Sequence, residues 1–460
     1  MKTRLLPIFL VSILFSCTRT ADIESVAMSV ETPQQTVLPK ISKDIDFLSA
    51  DDAVKVANLF NHGNVLTKSE TMKEVRDVVP VKDDSGRTLM YAVNYDDGYD
   101  LISATKKYHP VLAMVEHGTY TGEKTNTGYD VIMNEYVEAT QAAIDGKITI
   151  DGNPWAVYEE VPYNAPVQTK VSDAYTEVAN EYIEDWYMSG YNIYQLNTKP
   201  ENMSDEMYET FCDYARDYDR PDHDYMQCSF IVENNDNYRY QVGPYVQTRW
   251  GQEGIYNDAL NTNQPLGCTV VAAGQIMKYL EYPANINWAA MSSVFILSSF
   301  LVELRTNIGT NYYGTATIED VRIALETYYR YTPAYGFSVE RINHNQQRVM
   351  NSLDREVPVF MCGSDDVTNH GHAWVCDGYY MSHPQTEYSL FVIPMGVSEI
   401  ASLSNIYTTY VYPDSFIINY YYHMNWGWDG MYDGFYVEGA VSPEVDNFSS
   451  NRMELIITRL

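Results

Sequence analysis

The chain has 460 residues, with 62 acidic and 30 basic side chains that give a formal charge of -32. A hydrophobic fraction of 45% can supply cores for two or three domains and excludes a disordered tail protein, and the acidic excess excludes a basic groove for nucleic acid. The 41 tyrosines are spread along the whole length, which suits strands and hydrated surfaces better than any single binding site.

At the N-terminus, Lys2 and Arg4 precede an apolar run from Leu5 to Phe15. That run is short for a membrane span and right for a signal peptide, so export is expected. Leu14-Phe15-Ser16-Cys17 resembles a bacterial lipoprotein signal, with Cys17 lipidated as the new N-terminus. Residues 1–17 are therefore expected to be a lipoprotein-type signal peptide and 18–44 a polar tether. The only expected membrane contact is this lipid anchor. The protein is then placed in the cell envelope, periplasmic or at the surface, or is released after processing. Thr18-Arg19-Thr20 lacks an acidic run, which favours the periplasmic side.

Structure is expected to begin near Ile45, with a helix from Ala50 through Leu59. Thr88 to Asn94 and Tyr99 to Ala104 read as strands of a hairpin around Tyr95-Asp96-Asp97-Gly98, where Asp-Gly is a turn signal. The turn explains the paired aspartates without a metal. Helical stretches are expected at Asp130 to Ile144 and Asp173 to Trp186, whereas Asn202 to Asn237 reads as an acidic, partly irregular connector. Past Tyr240 the chain is richer in Gly, Trp and aromatic strands, which puts a boundary between roughly 230 and 243. Met291 to Val302 reads as a core helix.

Cys268 follows Pro265-Leu266-Gly267 and opens an apolar-periodic segment that Pro283 ends. A thiol at the start of a helix is favoured as thiolate by the amides and dipole there. Asn369-His370-Gly371-His372-Ala373-Trp374 places two histidines at the start of a strand, and by spacing both are candidates for a base. His423-Met424-Asn425-Trp426-Gly427-Trp428 offers a side-chain amide to orient an imidazole and an indole to shield it. Gln252, after Trp250-Gly251, offers a donor to an oxyanion. Cys, His and Asn in this order match the arrangement of papain-like cysteine peptidases. Of the remaining cysteines, Cys212, Cys228, Cys362 and Cys376 are even in number and open to disulfide formation, with pairing undetermined.

These motifs are specific in combination. Gly267-Cys268 with Ala273-Gly274-Gln275-Ile276-Met277-Lys278-Tyr279, Gly371-His372-Ala373-Trp374-Val375 with Asp377-Gly378-Tyr379, and Asn425-Trp426-Gly427-Trp428 resemble the streptopain family of cysteine peptidases over about residues 240–460. Residues 45–118 resemble that family's inhibitory propeptide, with Tyr91-Ala92-Val93-Asn94-Tyr95 and Tyr99-Asp100-Leu101-Ile102-Ser103-Ala104 at its hairpin.

The resemblance implies an α+β chain: a papain-like two-subdomain catalytic domain at 240–460, with a nucleophile helix packed on an antiparallel sheet. An inhibitory propeptide-like α+β domain at 45–125 would precede it, joined through an acidic, Tyr-rich connecting region at 126–239. It also implies Cys268 as nucleophile, His372 as general base and acid, Asn425 as the group orienting His372, and Trp426 as its cover. Gln252 and the Cys268 amide would form the oxyanion hole. Protein or peptide substrates, the chain's own propeptide as intramolecular inhibitor, and no metal or organic cofactor follow from the same resemblance. A peptidase-fold lipoprotein that binds without turnover, and an acyl transfer to amines, are the alternative readings.

Overall fold

The computed structural model describes residues 36–63, 65–66, 72–123, 127–150, 153–160, 191–200, 203–218, 229–260, 262, 264–364, 371–392, 404–411, 419–438 and 452–460. The expected signal peptide and the expected helix from Asp173 to Trp186 lie outside them. Among the described residues the fold is α+β, with seven α-helices and a sheet of 13 strands. No helix there is long and apolar enough to cross a membrane.

The N-terminal unit starts with α1 (Ala50–His62), three residues longer than the periodicity suggests. Ser49 and Asp52 form a reciprocal capping box that satisfies two of the helix's first amides. Four antiparallel strands follow: β1 (Asp77–Lys82), β2 (Thr88–Asn94), β3 (Tyr99–Ser103) and β4 (Val111–Val115). The hairpin between β2 and β3 turns at Tyr95–Gly98 as expected, with Gly98 at φ +79°. Helix α2 (Thr127–Ile144) lays Tyr129, Ile132, Met133, Tyr136, Ala139 and Ala143 into the core at helical spacing.

The stretch from Asn202 to Asn237, expected as an acidic, partly irregular connector, is more regular in its described residues. It contains α3 (Asp205–Asp217), after the short strand β5 (Asn192–Gln195), and most of β6 (Ser229–Val242). Ser204 caps α3 through the Met207 amide, and Phe211, Cys212 and Ala215 form its buried stripe. The dense acids and tyrosines around that stripe hide its period.

The C-terminal part supplies α4 (Cys268–Leu280), α5 (Val294–Ile308), α6 (Ile318–Thr327), β7 (Phe337–Asn343) and α7 (Gln346–Leu353). The expected helix from Met291 to Val302 is instead a short 3-10 turn, Trp288–Ser292, followed by the longer α5. The strands β8 (Val359–Ser364), β9 (Gly371–Val392), β10 (Ser404–Val411), β11 (Asn419–Asn425), β12 (Gly434–Val437) and β13 (Met453–Arg459) complete the sheet.

The main path through the sheet is β1, β2, β3, β4, β12, β11, β9, β8, β13, β7, all antiparallel, with β6 and β10 flanking the far end of β9 and β5 beyond β6. The N-terminal strands and the C-terminal strands are thus one sheet, joined where β4 pairs with β12. Two cores lie against it. One is shared by α1, α2 and residues of β9, β11 and β12, and the other is formed by α4, α5 and α6 with the alternate side chains of β8, β9 and β13.

Candidate active site

Gly267 sets the start of α4. Its φ of +102° lies where side chains are strained, and a Cβ there would sit 2.1 Å from the Gly314 carbonyl oxygen. Only glycine lets the chain turn into the helix with Cys268 as the first helical residue. Val270, Val271, Ala273 and Met277 anchor the helix in the core, and Glu281 in the left-handed region ends it. Burial pushes the Cys268 thiol up, against the amides of Ala373, Thr269 and Cys268 itself, which favour the thiolate.

Ala373 belongs to β9, one residue after His372. The sulfur therefore lies beside the strand that carries the imidazole. His372 is 8% exposed, and its Nε2 lies 3.0 Å from the Trp426 carbonyl oxygen. A carbonyl only accepts, so Nε2 carries the proton and Nδ1 keeps the lone pair. Burial pushes the imidazole down to about 4, and the Trp426 contact opposes this only in part. Burial thus favours the neutral form of both the thiol and the imidazole. Cys362 is a second thiol nearby, in register with Ala373 across β8, and burial pushes it up to about 12 so that it stays protonated.

The tryptophans form a wall. The Trp428 ring stacks on His372 at 4.7 Å, closer than Trp426 or Trp374, each at 6.1 Å. Trp428 was not singled out from the sequence as a site residue, although the Trp-Gly-Trp motif contained it.

Asn425 is placed differently from the expected direct contact with His372. Its Oδ1 accepts from Gln275 Nε2 at 2.7 Å and from the Gly427 amide at 3.3 Å, and its Nδ2 donates to the Thr248 carbonyl at 2.8 Å. The Gly427 amide and the Trp426 carbonyl belong to one peptide group. Asn425 thus clamps the peptide that receives the His372 proton, and acts on the ring through the backbone. An unpaired buried carboxamide costs about 1–3 kcal/mol, so these three hydrogen bonds also stabilise the fold. The Gln252 carbonyl accepts from the Leu266 amide at 2.9 Å, which ties the loop that bears Gln252 to the approach to Cys268.

The N-terminal unit reaches this wall directly. The Tyr129 ring of α2 stacks on Tyr432 at 3.9 Å and 8°, and Tyr432 in turn meets the edge of Trp428. The Glu116 amide donates to the Asp433 carbonyl at 2.9 Å, while the Asp433 carboxylate accepts from the Trp426 amide at 2.9 Å. Glu116 Oε1 also approaches Nε2 of the buried His423 at 3.4 Å, and His423 Nδ1 binds Asp377 at 2.5 Å.

Burial depresses His423, but the carboxylates of Asp377 and Glu116 outweigh it and push the ring up to about 10. The hydrogen bond from His423 holds Glu116 below the usual carboxylate range. The contribution of Glu116 is complete above its free value of 4.5 and is lost as pH falls through the lowered one. That of His423 is complete below 6.5 and is lost as pH rises through about 10. The contact is then strongest between pH 4.5 and 6.5. Hydrogen exchange at the Glu116 amide, corrected for intrinsic rates, should show greatest protection in that window, and Glu116→Gln should flatten the acid limb.

Gly434 offers a second handle. A Cβ there would lie 2.2 Å from the Met114 carbonyl and 2.9 Å from Val115 Cα. Gly434→Ala should therefore separate β4 from β12, reducing protection of the Glu116 amide at least tenfold, with little change in the core around α4. Unchanged protection would show that the junction tolerates the methyl group.

An N-terminal α+β unit thus docks on the sheet beside the candidate site. Residues 298–436 match the Peptidase C10 family, and residues 45–140 match the Spi protease inhibitor family. The first match contains His372, Asn425 and Trp426 and begins after Cys268. The chain carries a Peptidase C10, or streptopain-family, domain preceded by a Spi-type inhibitor domain, and it is a cysteine peptidase made with its own inhibitory propeptide. No curated protein matches the chain. Among solved structures it is similar to a fragment of Prevotella intermedia prointerpain A, with 15% identity and a TM-score of 0.43 over 82% of this chain and 97% of that one.

Among the described residues Cys212, Cys268, Cys362 and Cys376 are free thiols; Cys228 lies outside them, as does His370.

Proposed function

We propose that the chain is an exported cysteine endopeptidase zymogen in which Cys268 and His372 form the reacting pair. The observation that carries the reading is the packing of α4, which opens with Cys268, against β9, which carries His372 near its start, while the Trp426 carbonyl accepts from the His372 Nε2. With Nε2 so occupied, Nδ1 is the nitrogen left to take the thiol proton. The thiolate attacks the peptide carbonyl carbon, and the oxyanion is met by the Cys268 amide and the Gln252 side chain. His372 then gives its proton to the leaving amine, and water, deprotonated by His372, cleaves the thioester. Trp428 and Trp426 keep bulk water from the imidazole, and Asn425 orients it by way of the peptide between Trp426 and Gly427.

In the intact chain the inhibitor domain holds this wall through Tyr129, Glu116 and the pairing of β4 with β12. Burial then keeps both reacting groups neutral, which is the inactive form of a pair that must work as thiolate and imidazolium. Removal of the domain frees the Tyr432 and Trp428 side of the site.

Cys268→Ala in the chain freed of its inhibitor domain should hydrolyse no peptide and take no thiol-directed epoxide, while wild type does both. Hydrolysis that persists in the purified variant would sink the reading. The export proposal rests on Lys2, Arg4, the run from Leu5 to Phe15 and Cys17. It predicts detergent-phase partitioning of the expressed protein that Cys17→Ser abolishes.

A further inference from the structure

The proposed reaction needs three separate parts to keep register: the first turn of α4 with Cys268, the loop with Gln252, and the peptide that holds His372. One side chain touches all three supports. Gln275 lies two turns beyond Cys268 on the same face of α4, and it is 0% exposed. Its Nε2 donates to Asn425 Oδ1 at 2.7 Å, and its Oε1 accepts from the Trp250 amide at 3.1 Å. Trp250 stands two residues before Gln252. Asn425 Oδ1 in turn accepts the Gly427 amide, whose peptide carbonyl receives His372. Gly427, at φ +72°, packs so closely on α4 that a Cβ there would lie 3.0 Å from Val271 Cγ1.

We infer that Gln275 is a positioning residue of the hydrolysis, the buried amide that fixes the nucleophile helix, the oxyanion loop and the peptide that holds His372 relative to one another. This rests on the proposed roles of Cys268, His372 and Gln252. A core polar residue kept only for stability would need partners, but not partners on each of the reacting segments. Gln275 touches no reacting atom, so its effect falls on geometry, where a misplacement of about 1 Å can cost on the order of a hundredfold in rate.

The variants separate this role from simple packing. Gln275→Met keeps length and shape but removes both hydrogen bonds. Gln275→Glu keeps the acceptor for the Trp250 amide and loses the donor to Asn425, unless the carboxyl is protonated. Burial raises a carboxyl pKa, so acidification should restore that donor.

With the processed enzyme and a short fluorogenic peptide amide, Gln275→Met should lower kcat by about tenfold or more, with KM changed by less than about threefold. Gln275→Glu should be similarly slow at pH 7.5 and should gain at least about threefold relative to wild type on going to pH 5. A kcat for Gln275→Met within twofold of wild type, or a Gln275→Glu deficit that stays constant with pH, would overturn the inference. If Gln275→Met does not fold, the pH response of Gln275→Glu decides alone. An inactive wild type would instead refute the proposed reaction, and so is distinguishable.

Discussion

Replacement of His372 by alanine is expected to lower kcat/KM for peptide hydrolysis by roughly 10⁴-fold or more, comparable to removing the nucleophile, because the two groups act as a unit. Without the imidazole the Cys268 thiol has no base, and its pKa is pushed up from an already alkaline value by burial. The leaving amine also loses its acid. His370→Ala should stay within about twofold of wild type, which separates two histidines that spacing alone leaves equal. The check is steady-state hydrolysis of one peptide substrate by the two processed variants, with alkylation of Cys268 confirming that each is folded. Equal losses in both would reassign the base.

The second large effect is in the pH dependence of Cys268 alkylation. In the intact chain the thiol is raised and the imidazole lowered to about 4, so the two neutral groups gain nothing by exchanging a proton near neutrality. Reaction with iodoacetamide should climb about tenfold per pH unit through neutrality and still be rising at pH 9. Once the inhibitor domain is removed, a thiolate paired with imidazolium should react at a rate nearly flat from about pH 5 upward. A low-pKa thiolate is intrinsically the weaker nucleophile, which offsets much of its advantage at pH 8. At pH 5 the ionised fraction dominates, and the processed form should react about a hundredfold faster than the intact chain. Mass spectrometry of Cys268 labelling across pH checks this, and superimposable profiles for the two forms would show that the domain does not control ionisation.

What was legible in the chain was what local chemistry dictates. Gly267 before Cys268, the apolar stripe of α4, the Asp-Gly turn at Tyr95–Gly98 and the strand that starts at Gly371 each follow from spacing and residue type. The order of Cys268, His372 and Asn425 gave the class of site. What stayed hidden depends on distant pairing. Nothing local says that Asn425 spends its amide on Gln275, 150 residues earlier in sequence, or that the Trp426 backbone meets His372. Joining β4 to β12 needed the whole sheet, since Val115 and Gly434 are remote and neither carries a recognisable partner signal. The acidic α3 was missed because its tyrosines and carboxylates mask a narrow stripe of Phe211, Cys212 and Ala215.

The coupling of wall and inhibitor domain explains how one sheet can hold both a peptidase and its restraint. Strand β12 carries Gly434 and Tyr436 for β4 on one side and continues the β11 edge that ends in Asn425 on the other. Asp433 joins the two, taking the Trp426 amide on its carboxylate and the Glu116 amide on its carbonyl. The N-terminal unit thus meets the same backbone stretch that carries the His372 contact.

The most direct measurement is to incubate the chain from Ala21 under reducing conditions and follow its mass with time, beside Cys268→Ala. The account predicts that only wild type sheds an N-terminal fragment containing Glu116 and Tyr129, and that peptide hydrolysis appears with the same time course. Fragment release at the same rate from Cys268→Ala, or release from wild type with no gain in hydrolysis, would contradict it.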